Sequence, residues 1–311
     1  MMRGLIGPWF EPTEGQGHAR RGLIVGIGAA AAIGLATGGS GRRSAPPPTP
    51  AYPFRDLERQ VGGRLGVMVR VPGRPHVLAN RPDDRFPMCS AFKFILAACV
   101  LARADAGLEN LETQIRIRPE AVLSYAPVTS VAVKEGRSLT VLELCEAAVK
   151  VSDNTAANLL LERVGGPAGM TRWMRKYDPV TRLDRNEPSL NSAIPGDPRD
   201  TTKPFAMVGW LADIHQGRIL RPPTRARLLN WMTECTTGLA KLRAGAPRDW
   251  VVADKTGNNG SDTSVDVAIM TPPHGPPLYI AAFVTQSQLR GSELDAAFAE
   301  ITHIALKAFY G

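Results

Sequence analysis

The chain has 311 residues, 44% hydrophobic and 21% charged, enough to bury one large core or two smaller ones. Its formal charge of +8 is scattered, with no basic run alternating with aromatic residues, so a surface for single-stranded nucleic acid is excluded and no nucleic acid is expected as a partner. The five histidines share no ligand spacing, so no metal site is implied.

At the start, Arg20-Arg21 precede an uncharged run from Gly22 to Gly41, and Arg42-Arg43 lead into Pro46-Pro47-Pro48. Residues 1–41 read as an export signal, either twin-arginine-like or an ordinary secretory leader, and residues 42–52 as a Pro-rich tether. The apolar run is short and rich in glycine, which argues against stable membrane insertion once the signal is removed. The expected location is the periplasm or the exterior.

Residues 54–61 pattern as an amphipathic helix stopped by Gly62-Gly63. Residues 64–71 alternate as a strand, Pro72-Gly73 turns it, and residues 76–79 read as its hairpin partner. From 83 to 234 the period is helical, with helices expected over 139–151, 155–163, 170–177, 201–216 and 223–233. Residues 178–200 form a long, polar, Pro-rich loop, a length that inside a compact region marks function or disorder. Strands return at 250–255, 264–270 and 278–285, and a helix over 293–309 closes the chain.

The fold class expected is α+β. One antiparallel sheet flanked by helices is built from both chain ends (53–82 and 235–311), an all-α domain (83–234) is inserted, and the active site lies between the two.

Ser90 and Lys93 stand at i and i+3 where a helix opens, and the residues after them are apolar all round, so that helix is buried. Burial favours a neutral amine on Lys93 unless acidic neighbours hold it charged. The dipole at the helix N-terminus favours negative charge on Ser90, as in an activated nucleophile. A capping serine with a snorkelling lysine would explain these residues as well.

Ser152-Asp153-Asn154 could be plain helix punctuation. Lys255-Thr256-Gly257 ends a strand, where Gly257 lets a ligand approach the backbone and Lys255 supplies a cation; an edge-strand lysine is the bland alternative. Glu187 and Asn191, four apart in the long loop, could hold a water between them. Each element is weak alone. Their occurrence once each, in this order, at a helix start, a turn, a loop and a strand end is not.

The set Ser-x-x-Lys, Ser-Asp-Asn, Glu-x-x-Leu-Asn and Lys-Thr-Gly resembles the class A serine β-lactamases, from about Phe54 to the C-terminal helix. The resemblance also covers Tyr125-Ala126-Pro127-Val128, Thr237-Gly238 and Arg243-Ala244-Gly245. It implies hydrolysis of a small β-lactam, without a cofactor, by a monomer. Ser90 would be the nucleophile, Lys93 and Glu187 would share base chemistry, and Asn191 would help hold the deacylating water. Ser152 would relay a proton to the lactam nitrogen, and Asn154 would bind the acyl amide. The backbone N–H groups of Ser90 and Asn258 would form an oxyanion hole, worth roughly 3–4 kcal/mol per donor in another serine hydrolase. Lys255, Thr256 and Gly257 would line the carboxylate end and Tyr125 the entrance. Arg185 and Asp200 would close the long loop, and the Glu187–Pro188 bond would be cis.

Three departures from the pattern stand out. The arginine usual near the substrate carboxylate is absent, and Lys241 occupies one of its two positions, a point charge without a bidentate fork. Asn258-Asn259 follow Gly257 where smaller residues are usual. Cys89 precedes the nucleophile, but the position of its disulfide partner is Asn259, so that bridge cannot form. Cys89, Cys99, Cys145 and Cys235 are expected as buried free thiols. The competing readings are a D,D-peptidase and a sensor that is acylated without turnover.

Overall fold

The computed structural model describes residues 53–311; the export signal and tether read from the sequence lie outside the described residues. The helices are α1 (Arg55–Val61), α2 (Phe92–Asp105), α3 (Thr129–Lys134), α4 (Val141–Lys150), α5 (Asn154–Arg163), α6 (Gly166–Met174), α7 (Pro204–His215), α8 (Pro222–Thr233) and α9 (Gly291–Tyr310). The strands are β1 (Arg64–Arg70), β2 (Leu78–Asn80), β3 (Phe86–Pro87), β4 (Gln114–Ile115), β5 (Leu139–Thr140), β6 (Thr201–Thr202), β7 (Val251–Asn258), β8 (Ser264–Thr271) and β9 (Leu278–Thr285).

The main sheet runs β2-β1-β9-β8-β7 and is antiparallel throughout, so strands from both chain ends share it. All of β9 is buried, because helices cover both faces. Alternate side chains divide between two cores. Tyr279, Ala281 and Phe283 pack with α2, α4 and α7, whereas Leu278, Ile280, Ala282 and Val284 pack with α1 and α9.

The helical segment is not helical throughout. Thr201-Thr202, expected to begin a helix, instead pair as β6 with β3, and α7 opens at Pro204, whose ring suits the first helical turn. Leu139-Thr140 likewise form β5, and Thr140 then caps α4 in a capping box with Glu143. The helix expected from Met170 begins at Gly166, with Gly165 (φ 86°) as its cap. The pairing of β3 with β6 has a functional consequence: it stitches the end of the long loop to the strand that leads into Ser90. The Met88 N–H adds a bond to the Asp200 carbonyl (3.0 Å). Among the described residues no helix is long and apolar enough to cross a membrane.

Candidate active site

Ser90 sits in a single 3-10 turn, Cys89–Ala91, that runs directly into α2. Cys89 takes a left-handed φ of 44°, a conformation that costs a non-glycine residue about 1 kcal/mol or more and here aims the next side chain. Ser90 Oγ donates to Glu187 Oε1 at 3.2 Å. Lys93, one turn on, is fully buried. Its Nζ lies 3.0 Å from the same Glu187 oxygen, 2.8 Å from the Ser152 carbonyl, 2.5 Å from Asn154 Oδ1 and 3.3 Å from Ser152 Oγ. Burial pulls the Lys93 pKa down to about 8, against the opposing pull of the Glu187 charge.

Ser152 also has a left-handed φ, 60°, which turns its carbonyl and hydroxyl toward the two lysines. Lys255 Nζ, fully buried like Lys93, donates to Ser152 Oγ (3.1 Å) and to the Thr256 carbonyl (2.8 Å). Burial lowers its pKa as well.

The long loop supplies Glu187, whose side chain is inaccessible to solvent. Asn191 Nδ2 donates to Glu187 Oε2 (2.5 Å), and Asn191 Oδ1 is a buried acceptor without a protein partner among the described residues. The Glu187–Pro188 peptide is cis. Across the neck of the loop Arg185 Nε bonds Asp200 Oδ2 (2.5 Å), while Asp200 Oδ1 accepts from the backbone of Asp184 and Arg185.

On the opposite side, β7 presses against the turn that carries Ser90. A Cβ on Gly257 would come within 2.7 Å of the Met88 carbonyl and 2.8 Å of the Ser90 nitrogen, so only glycine permits this approach. The cavity between these walls measures about 670 Å³ and is lined by Ser90, Tyr125, Ser152, Asn154, Asn191, Thr237, Lys241, Thr256, Gly257, Asn258 and Asn259. Lys93, Glu187 and Lys255 stand behind this lining, close enough to bond to it. Asn258 Oδ1 is engaged by the Gly260 N–H (2.9 Å), so its carboxamide is held within the turn between β7 and β8. Lys241 reaches the rim, with its Nζ bound by Ser264 Oγ (3.0 Å) and by Asp295.

The paired strands β7 and β8 each carry one fully buried carboxylate, Asp254 and Asp266. Arg243 pairs with Asp254 Oδ1, and the Leu242 N–H donates to Asp266 Oδ2 (3.1 Å), but Asp254 Oδ2 and Asp266 Oδ1 find no hydrogen-bond partner among the described residues. Burial, reinforced by the charge of Asp254, raises the Asp266 pKa well above the ordinary carboxylate value. A raised folded-state pKa means stability that is complete below the unfolded value and is lost as pH rises through the folded one. Asp266→Asn, an isostere of the protonated acid, should therefore unfold at a higher temperature than the parent at neutral and alkaline pH. That advantage should shrink as pH falls toward about 4, the unfolded value. Thermal melts across pH would read this, and a parent at least as stable as the variant at pH 8 would contradict a protonated Asp266.

The four cysteines are buried free thiols, and burial pushes Cys99 up to about 12.

The sequence profile of the Beta-lactamase enzyme family matches residues 51–309. The chain belongs to the class A β-lactamases. It is 40% identical to Beta-lactamase L2 of Stenotrophomonas maltophilia over 92% of this chain and 98% of that one. It is also 40% identical to the Carbapenem-hydrolyzing beta-lactamase KPC of Klebsiella oxytoca, over 83% and 88% of the two chains. Among solved structures, an ancestral class A β-lactamase superposes with a TM-score of 0.80 at 48% identity, covering 83% of this chain and 98% of that one. A β-lactamase of Xanthomonas campestris pv. campestris does so at 0.79 and 44%, covering 83% and 96%.

Two residues of this β-lactamase have roles that the motifs alone do not assign. Asn158 accepts from the Glu187 N–H (2.9 Å) and donates to the Glu187 carbonyl (3.0 Å), holding that residue's backbone from both sides. Its signal in the sequence is a polar residue one turn after Asn154, directly before the apolar run Leu159-Leu160-Leu161. Asp153, the middle residue of Ser-Asp-Asn, is fully buried and caps α5 through the Ala156 N–H (2.9 Å). It also accepts from Val128 N, Thr129 N and Thr129 Oγ1, tying the Tyr125 wall to the turn that bears Ser152 and Asn154.

Proposed function

We propose that the enzyme hydrolyses the amide bond of β-lactam antibiotics, and so confers resistance, by acylating Ser90 and clearing the acyl-enzyme with water. One observation carries this reading: Ser90 Oγ and Lys93 Nζ meet at Glu187 Oε1, while Asn191 grips Glu187 Oε2. Glu187 accepts the Ser90 proton as Oγ attacks the lactam carbonyl, and the backbone N–H groups of Ser90 and Asn258 receive the developing oxyanion. Lys93 stays an ammonium through this step, since its three N–H groups have oxygen acceptors around them. Ser152 Oγ, which accepts from both lysines, gives its own proton to the leaving nitrogen and is reprotonated by Lys93, which in turn takes the Ser90 proton back from Glu187 and leaves Glu187 a carboxylate for deacylation. Asn154 takes the acyl amide, and Lys255, Thr256 and Gly257 line the carboxylate end. Deacylation then runs through a water deprotonated by Glu187, and the buried, unpartnered Asn191 Oδ1 supports this by offering that water an acceptor.

The pair Glu187 and Asn191 favours turnover over the long-lived adduct of a D,D-peptidase or a sensor. We take the enzyme to work as an exported monomer, periplasmic or secreted, with residues 53–82 and 235–311 as its sheet domain and 83–234 as its helical domain.

The test is steady-state turnover of a chromogenic cephalosporin across pH. Repeated turnover is expected; one equivalent of colour per enzyme, without turnover, would defeat the reading. The kcat/KM profile, which reports the free enzyme, should fall with a midpoint near 8 as Lys93 loses its proton and leaves the Glu187 charge without a counter-ion. A limb that instead rises through that pH would make neutral Lys93 the base.

A further inference from the structure

Four arginines crowd ten residues where α7 gives way to α8: Arg218, Arg221, Arg225 and Arg227. The fold gathers them rather than spreading them. Arg221 is the N-cap of α8 and Arg225 stands one turn on, so the two share a face. The Arg225 guanidinium occupies the space that a Cβ on Gly217 would need, which sets it beside the backbone that carries Arg218. From the end of β1, Arg70 joins them: burial and the neighbouring charge of Arg218 both lower its pKa. Arg218, Arg221 and Arg227 are exposed, and Arg70 and Arg225 are partly buried. The cluster thus draws on three elements: β1, the turn between α7 and α8, and α8 itself.

Acids do not balance this charge. Asp213 pairs with Arg218 (2.5 Å), and Asp105 gives one oxygen to the Arg221 N–H (2.9 Å) and the Thr224 hydroxyl (2.7 Å). Among the described residues no hydrogen bond or ion pair engages the side chains of Arg221, Arg225 or Arg227. The first turn of α8 holds no acidic residue either. Like charges one turn apart, and cations at the positive end of a helix dipole, are both unfavourable, and an anion from outside relieves both. Between the arginines stand Pro222, Pro223, Thr224 and Ala226, none of them bulky or aromatic. Base stacking has no platform here, whereas a flat field of phosphates can reach every guanidinium.

We propose that this cluster is a docking surface for an anionic membrane, its arginines taking lipid phosphates at the level of the headgroups. The assignment rests on the reading of the enzyme as exported, and not on the reaction at Ser90. Guanidinium suits the task, since its planar fork takes two phosphate oxygens at once. The surface is also well placed. Ser90 stands just before α2 and Asp105 ends it, so the cluster lies about 20 Å from Ser90, the length of the helix between them. The enzyme therefore docks with its cavity open. Binding is electrostatic and reversible, with nothing inserted into the bilayer.

The test is cosedimentation of the mature enzyme, freed of its export signal, with vesicles of phosphatidylcholine alone or with about one third phosphatidylglycerol. Binding is expected on the anionic vesicles only, and should be lost as NaCl is raised toward about 0.5 M. Arg221→Gln combined with Arg225→Gln should weaken it roughly 20- to 30-fold, near fivefold per arginine. Arg116→Gln combined with Arg118→Gln removes the same charge from exposed positions outside the cluster and should change binding less than about twofold. Arg221→Lys combined with Arg225→Lys keeps the charge and should retain most of the binding; its loss there would trace the effect to structure rather than charge and overturn the proposal. Equal weakening by the two Gln pairs would reduce the effect to net charge and overturn it too. So would sedimentation with both kinds of vesicle, binding that survives the salt, or binding to inorganic polyphosphate as tight as to the vesicles. Vesicle binding is read on purified protein, whereas a chain that cell fractionation finds retained in the cytoplasm would sink the export reading, so the two failures are distinguishable.

Discussion

Glu187→Gln should trap the enzyme as its acyl adduct. Mixed with a penicillin, the variant should gain the mass of one antibiotic on Ser90 and keep it, while steady-state kcat drops on the order of 10²–10⁴-fold, the usual contribution of a positioned base. The amide is close to isosteric, so Asn158 can still hold the backbone on either side of it. What disappears is the group that deprotonates water. Acylation should survive better than deacylation, for an electrostatic reason. The Glu187 charge is the largest influence opposing burial in the pKa of Lys93. Without it Lys93 becomes neutral at lower pH and can take the Ser90 proton itself. Intact-protein mass spectrometry of the quenched reaction decides the matter, and a variant that turns over like the parent would remove Glu187 from its assigned role.

Asp153→Ala should cost both fold and activity. The carboxylate is fully buried and serves the N–H groups of Val128, Thr129 and Ala156 together with the Thr129 hydroxyl. Alanine leaves those donors buried and unpaired, at about 1–3 kcal/mol each before relaxation. For a domain of this size a net loss of about 4 kcal/mol lowers Tm by roughly 10 °C. The kinetic loss has the same origin. The Asn154 N–H bonds the Tyr125 carbonyl (3.0 Å), so the cavity wall and the Ser152 turn are one unit, and slack in it moves Ser152 Oγ away from both lysines. Differential scanning calorimetry and kcat/KM on one preparation test both halves. A melting point within about 2 °C of the parent would show that the donors find other partners.

Much of the site is legible without coordinates because its chemistry needs particular residue types at short spacing. Ser90 and Lys93 share one helix face, Glu187 and Asn191 one turn of a loop, and Lys255 to Gly257 one strand end. The apolar run after Lys93 already declares that lysine buried, as it is. Two-residue strands such as Thr201-Thr202 are too short to carry a period, so the stitch between the long loop and the Ser90 segment is invisible beforehand. The wider role of Asp153 is hidden for a different reason: a cap and a keystone use the same side chain, and only its partners separate the two.

By itself the sequence determines the family, the α+β class and the candidate site residues, because each follows from local pattern or from residue identity. The tertiary structure alone decides how charges are shared. That the Lys93 pKa is pulled down to about 8 depends on burial, opposed by a carboxylate 3.0 Å away from a distant loop. That Lys241 is spoken for depends on Asp295, 54 residues further along the chain. Electrostatic energy varies with distance and with exclusion of water, and neither is set until both cores have closed around the sheet.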